Sequence, residues 1–358
     1  MYGVYASGSN IYAATSGGLG ISTNGGSSFT NYTTASGLGN NFVFGVYASG
    51  SNIYAATLGG LGISTNGGSS FTNYTTASGL GDNDVRGVYA SDSNIFAATS
   101  IGLGISTDGG SSFTNKTTTS TDGGLGDNDV RGVYASGSNI YAATFGGLGI
   151  STNGGSSFTN KTPTNSGLGS DNVYGVYASG SNIYAATYGG GLGISTNGGS
   201  SFTNYTTASG LGSNFVNGVY ASGSNIYAAT NGGLGISTNG GSSFTNKTTA
   251  SGLGSNFVYG VYASGSNIYA ATGGGLGIST NGGSSFTNYT TASGLGDNFV
   301  WGVYASGSNI YAATDGGLSI ASEPNPVPGP LPVAGAAAAF GFSRKLRRRL
   351  RAAASTSC

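Results

Sequence analysis

Val43-Phe44-Gly45-Val46-Tyr47-Ala48-Ser49-Gly50-Ser51-Asn52-Ile53-Tyr54-Ala55-Ala56-Thr57 reads as two strands folded back on a tight polar turn. Val, Ile and Tyr fit a pleated, half-buried surface, and glycine supplies the φ > 0 position that a short hairpin needs. Two further apolar segments follow, at 61–65 and 71–75, with turn signals at Gly59-Gly60 and Asn66-Gly67-Gly68. The unit therefore holds four strands: A (42–49), B (52–57), C (61–65) and D (71–75), in an antiparallel meander.

The unit repeats. Its Gly-Val-Tyr triplet begins at Gly3, Gly45, Gly87, Gly132, Gly175, Gly218, Gly260 and Gly302, a spacing of 42 to 45 residues. One such sheet cannot bury both of its faces, so neighbouring units must stack. Four-stranded units of this length match the blades of a β-propeller, whereas β-solenoid coils repeat at shorter periods. Seven full units plus A, B and C of an eighth make 31 strands. Seven blades would leave three strands over. The expected fold class is all-β, a β-propeller of seven to eight four-stranded antiparallel blades, with eight favoured and the last blade incomplete.

Glycine supplies 71 of 358 residues, a composition also seen in linkers. The 39 Tyr and Phe at fixed positions argue instead for ordered sheets with glycine in the turns. Charge is zero overall but divided, with residues 1–322 at −5 and residues 323–358 at +5. The body has no basic stripe for nucleic acid. A single Cys, Cys358, and no His exclude a disulfide framework and a thiol metal cluster. No cofactor is expected, and the chain reads as a monomer. It begins inside a repeat, since Met1-Tyr2-Gly3-Val4 aligns with Val43-Phe44-Gly45-Val46, and no secretory signal precedes it. Upstream sequence, signal peptide included, is expected to be missing.

Ser64-Thr65-Asn66-Gly67-Gly68-Ser69-Ser70-Phe71 resembles the Asp-box, the bacterial neuraminidase repeat Ser-x-Asp-x-Gly-x-x-Trp. The copies pair Asn24 with Phe29, Asn66 with Phe71, Asp108 with Phe113, Asn153 with Phe158, Asn197 with Phe202, Asn239 with Phe244, and Asn281 with Phe286. Only Asp108 keeps the acid, and Phe replaces Trp throughout. Asn still offers a carbonyl to turn amides, and Phe is expected to plug the space between C and D. The Gly-Leu-Gly-x-Asn-x-Val run before each A strand is similar to two-component regulator propeller repeats. Both resemblances imply a propeller.

The Asp-box resemblance raises sialidase-type glycoside hydrolysis and then argues against it. In that family the boxes are structural turns, and catalysis needs an arginine triad, a Tyr–Glu nucleophile pair and an acidic Asp. Residues 1–322 hold only Arg86 and Arg131, and the sole Glu, Glu323, lies outside the repeats. A three-Arg clamp cannot be assembled. Without His the commonest general base is gone too. A non-enzyme is expected.

Asp82-Asn83-Asp84 and Asp127-Asn128-Asp129 offer oxygens of the kind Ca²⁺ takes, six to eight at a time. Solvated D–A loop residues are the plainer reading, and no metal is expected. Seven Asn-x-Thr sequons, from Asn31 to Asn288, share one repeat position and reflect duplication.

Differences between units point elsewhere. The residue before Gly-Val-Tyr is Phe44, Arg86, Arg131, Tyr174, Asn217, Tyr259 or Trp301. The residue after the B-strand Ala-Ala-Thr is Ser16, Leu58, Ser100, Phe145, Tyr188, Asn231, Gly273 or Asp315. In an up-and-down meander the D–A and B–C connections emerge at one end, so this variation gathers around one channel mouth. Trp, Tyr, Phe, Arg and Asn suit a saccharide- or protein-binding face, while loops drifting after duplication would also vary.

At Glu323 the composition changes. A Pro-rich spacer (323–332) precedes an apolar stretch and an arginine cluster (333–358). The order of proline motif with Pro328, Pro330 and Pro332, apolar helix, and Arg347, Arg348 and Arg349 resembles the PEP-CTERM sorting signal of Gram-negative and cyanobacterial surface proteins, in a variant with Gly for Glu. That resemblance implies export, transient membrane association and a sorting protease. The expected protein is an exported, cell-surface or matrix propeller; a periplasmic sensory or assembly-factor propeller is the alternative.

Overall fold

Strand A of the second unit spans Val43–Ser49 and pairs antiparallel with B, Asn52–Thr57; B pairs with C, Gly60–Ser64, and C with D, Thr72–Tyr74. This is a computed structural model, and it describes residues 1–121 and 124–323. Among the described residues seven sheets have four strands each, and an eighth has three, Val300–Ser306, Asn309–Thr314 and Gly317–Ser322. The A strands of successive blades lie side by side, and that of blade 8 meets that of blade 1, Gly3–Ser7. The chain is an eight-bladed β-propeller whose last blade has three strands among the described residues, as the strand count favoured. The Pro-rich spacer, apolar segment and arginine cluster at 324–358 lie outside the described residues.

Period-two alternation builds the core between blades. Ile53 and Ala55 face Tyr12, Ala14 and Leu19 of blade 1, whereas Tyr54 and Ala56 face Val85, Ile95 and Ala97 of blade 3. Each sheet is covered on both faces, which is why strands B and C are buried almost end to end. Each large aliphatic side chain so buried contributes about 1.5–3 kcal/mol.

Strand D is shorter than the sequence suggests, because Phe71 leaves the ladder. Its N–H donates to Ser36 O of the preceding connection (3.2 Å), and its ring lies 5.6 Å from Tyr32 of blade 1, edge to face. A Cβ on Gly62 would sit 3.5 Å from the Phe71 ring and 2.7 Å from Leu38, so glycine makes room for both. The box Phe thus plugs the seam between blades. In blades 2 to 7 it is 5–7% exposed, but Phe29 is 41% exposed. Among the described residues blade 8 brings no D strand to cover it, so the expected plug fails there.

The box turn itself works as its chemistry predicts. The Asn66 side-chain carbonyl accepts from Ser70 N–H (3.1 Å) and from the Ser64 hydroxyl (2.8 Å), while Ser64 Oγ accepts from Gly68 N–H (2.9 Å). In the acidic copy the Ser112 and Ser106 hydroxyls donate to Asp108, holding its carboxyl down at about 2. An unfolded Asp titrates near 3.9, so this contribution is present above about pH 4 and lost as pH falls through about 2. Asp108→Asn is expected to leave the unfolding midpoint at pH 7 little changed, because six sister turns already use Asn. It should also narrow the midpoint drop between pH 4 and pH 2, measured by calorimetry on both chains.

Candidate functional site

Strand A of each blade from the second to the eighth carries a β-bulge at one position. In blade 2, Val43 pairs with Thr57 and Gly45 with Ala56, leaving Phe44 as the extra residue. The same shift falls at Arg86, Arg131, Tyr174, Asn217, Tyr259 and Trp301. The variable position of the sequence is therefore a bulge inside a strand, a device that re-aims a side chain. Phe44, Arg86, Arg131, Tyr174 and Trp301 are buried, whereas Asn217 and Tyr259 are half-buried.

The bulge residues build a chain of contacts around one end of the propeller. Within a blade they meet the variable residue after strand B. Arg131 lies over the Phe145 ring at 3.1 Å, Tyr174 packs on Tyr188 at 5.3 Å, and the Asn217 amide donates to Asn231 at 2.9 Å. Trp301 Nε1 donates to Asp315 Oδ1 at 2.5 Å. Across the seams, Arg131 also covers Tyr174 (4.2 Å), Tyr188 meets Phe215 (4.4 Å), and Tyr259 meets Phe299 (4.9 Å) and Trp301 (5.4 Å). Aromatic meets aromatic and cation meets π-face or anion. Phe257, next to this arc, is 51% exposed.

The acidic loops are drawn into the same network. Arg86 pairs with Asp129 of the next blade and lies 3.5 Å from Asp84. Asp82 accepts from Asp84 N–H (3.1 Å) and from the Ser100 hydroxyl, and Asp127 accepts from Asp129 N–H (2.7 Å). Among the described residues no group of three or more His, Cys, Asp and Glu is placed to hold a metal ion. The sequon asparagines also have internal work: Asn73 Nδ2 donates to Gly59 O at 2.9 Å, tying strand D to the B–C turn.

No family model matches the chain, and no curated protein sequence matches it. Solved structures share its architecture. The computationally designed protein Ika8 aligns with TM-score 0.66 and 8% identity over 89% of this chain and 95% of that one. PorZ, a bacterial surface component of the type-IX secretion system of Porphyromonas gingivalis, aligns with TM-score 0.56 and 15% identity over 90% of this chain and 52% of PorZ. The extracellular domain of BT4673 from B. thetaiotaomicron, described as a one-component system, gives TM-score 0.53 and 17% identity over 91% of this chain and 47% of that domain. This chain spans about half the length of the latter two, and at these identities the likeness concerns fold alone.

One feature escaped the sequence reading. Tyr5, Tyr47, Tyr89, Tyr134, Tyr177, Tyr220, Tyr262 and Tyr304, one per A strand, form a closed ring, each centroid 5.0–5.8 Å from the next. Most also stack on the tyrosine opposite in strand B, as Tyr47 does on Tyr54 at 6.4 Å. The available signal was the unvarying Tyr of the Gly-Val-Tyr triplet on the innermost strand. It reads as ordinary strand apolarity until the ring closes.

Proposed function

We propose that this chain is a non-catalytic exported propeller that binds a saccharide or protein partner at the end carrying the bulge residues. The observation that carries this reading is the arc of half-buried aromatics there, Tyr188, Phe215, Tyr259 and Phe299, next to the exposed Phe257. Flat apolar rings suit sugar faces and apolar anchors of a protein partner. Both arginines of residues 1–322 are engaged inside the fold, Arg86 with acids and Arg131 with aromatic rings. That supports the absence of a carboxylate clamp and hence a binding role over hydrolysis.

Glu323 supports an outward orientation of this face. Its N–H donates to Ser308 O (2.7 Å), and its carboxylate accepts from Tyr269 OH (2.5 Å), at the end of the propeller opposite the bulges. With residues 324–358 acting as a sorting signal held at a membrane, the aromatic end faces away from it. Extracellular and surface placement of propellers such as BT4673 and PorZ accords with this setting.

Trp301 is a poor probe, since it is 4% exposed and its loss would report on folding. Phe257→Ala and Tyr259→Ala are better. Each is expected to weaken binding to immobilised envelope polysaccharide or envelope protein at least tenfold, with the unfolding midpoint held in Phe257→Ala and lowered in Tyr259→Ala by the lost packing on Phe299 and Trp301. Unchanged binding in both variants would end this reading.

A further inference from the structure

The end of the propeller opposite the bulges holds a carboxylate on two neutral donors. Glu323 lays its side chain on strand B of blade 7, where Tyr269 OH donates to Oε1 (2.5 Å) and Asn267 Nδ2 to Oε2 (3.4 Å). Asn267 and Tyr269 stand two positions apart on one strand, so both side chains leave the same face of the sheet. Each carboxylate oxygen takes one donor, and the pair forms a clasp. Under Glu323, Asn267 is 4% exposed and Tyr269 fully buried.

The clasp belongs to the repeat. Blades 4, 5 and 6 carry it as Asn139 with Tyr141, Asn182 with Tyr184, and Asn225 with Tyr227, and blades 1 and 2 repeat it. In each of these five the asparagine side chain hydrogen-bonds the tyrosine hydroxyl, as Asn267 does that of Tyr269. Their asparagines are half-buried, unlike Asn267. Blade 3 departs from the pattern: Phe96 stands in place of the tyrosine, so the hydroxyl is missing. The same blade places Asp92 in its A–B turn and Asp108 in its box turn. The corresponding turns of blades 4 to 6 contain only Ser, Thr, Gly and Asn. Like charge therefore sits beside the one clasp that is incomplete, and blades 4 to 6 meet an incoming carboxylate with neutral turns.

We propose that the clasps of blades 4 to 6 bind the carboxylates of an acidic polysaccharide, in the way that Glu323 fills the clasp of blade 7. Hydrogen bonds to an ionised acceptor are stronger than those between neutral groups, and the fold already holds both donors in place. One clasp by itself is a weak site. Three on consecutive blades hold a polymer of repeated carboxylates more tightly than any one alone, because the later contacts form within the complex. A uronate chain suits this end better than an acidic peptide. The exposed turn groups around the clasps, such as Ser136, Ser138 and Asn153, are hydroxyls and amides that match a hydrated polyhydroxyl chain. Among the described residues blades 4 to 6 offer no large exposed hydrophobic side chain to anchor a protein partner. The clasps lie at the other end from the aromatic arc and bind independently of it.

The test titrates the full chain with a galacturonate oligomer by calorimetry, beside the same oligomer with its carboxylates methyl-esterified. Saturable binding of the free acid and none of the ester is expected. Tyr141→Phe, Tyr184→Phe and Tyr227→Phe together remove three hydroxyls and nothing else, and Phe96, 3% exposed, shows that the bare ring packs at this position. The triple variant should bind at least tenfold more weakly with its unfolding midpoint unchanged. Glu323→Ala, which empties the clasp of blade 7, should tighten binding, and a loss of affinity there overturns the proposal. No binding of the free acid, equal binding of the ester, or unchanged affinity in the triple variant overturns it too. Polyglutamate bound as tightly as the oligomer assigns the clasps to an acidic peptide, with the same consequence.

Discussion

Arg86→Ala should lower the unfolding free energy by about 3–5 kcal/mol, the usual cost of leaving a buried charge without its partner. Arg86 is 5% exposed and its partner Asp129 is 7% exposed, and they join blade 3 to blade 4. Removing the guanidinium leaves Asp129 in the seam with Asp84 as a second anion nearby. The expected signature is a shift in the urea midpoint with an unchanged slope. A double variant, Arg86→Met with Asp129→Leu, should recover part of the loss, because the partly exposed Asp84 is then the one carboxylate left without the guanidinium. If Arg86→Ala unfolds within about 0.5 kcal/mol of the parent, the pair carries no structural weight.

Alkaline unfolding should be the second large effect, and it follows from the tyrosine ring. Burial raises all eight hydroxyls above the ordinary tyrosine value. For Tyr5, Tyr47, Tyr134, Tyr220 and Tyr262, ionisable tyrosine neighbours in the ring add to it. A folded value above the unfolded one favours the native state fully below pH 10 and loses that advantage as pH rises beyond it. Several protons leave together on unfolding, so the transition should be steep. Tyrosinate absorbance and circular dichroism are expected to change at one pH above 10. Gradual tyrosinate absorbance with an intact dichroism signal would show that the ring hydroxyls ionise in the native state. Replacing two ring tyrosines, Tyr89→Phe and Tyr177→Phe, should move the transition upward in pH while leaving the stacking in place.

The repeat made the fold legible, because period-two strands and Gly-rich turns are local properties. Strand bounds were readable to within one or two residues, and D ran shorter because Phe71 answers to Ser36 across a seam. The candidate face was legible only as a list of varying positions. Their placement in bulges, and the burial of Phe44, Arg86, Arg131, Tyr174 and Trp301, depend on which side chains the next blade presents. Arg86 and Asp129 lie 43 positions apart, and nothing local marks them as partners.

By itself the sequence determined an eight-unit propeller, box turns held by Asn or Asp, and the scarcity of arginine, histidine and glutamate in the body. These follow from residue type, spacing and count. Only the tertiary structure decided the closed tyrosine ring, the aromatic arc at one end, and the exposure of Phe29 and Ile320. The ring closes only where first and last blades meet, a contact between residues some 300 positions apart, and the arc only where neighbouring blades pack.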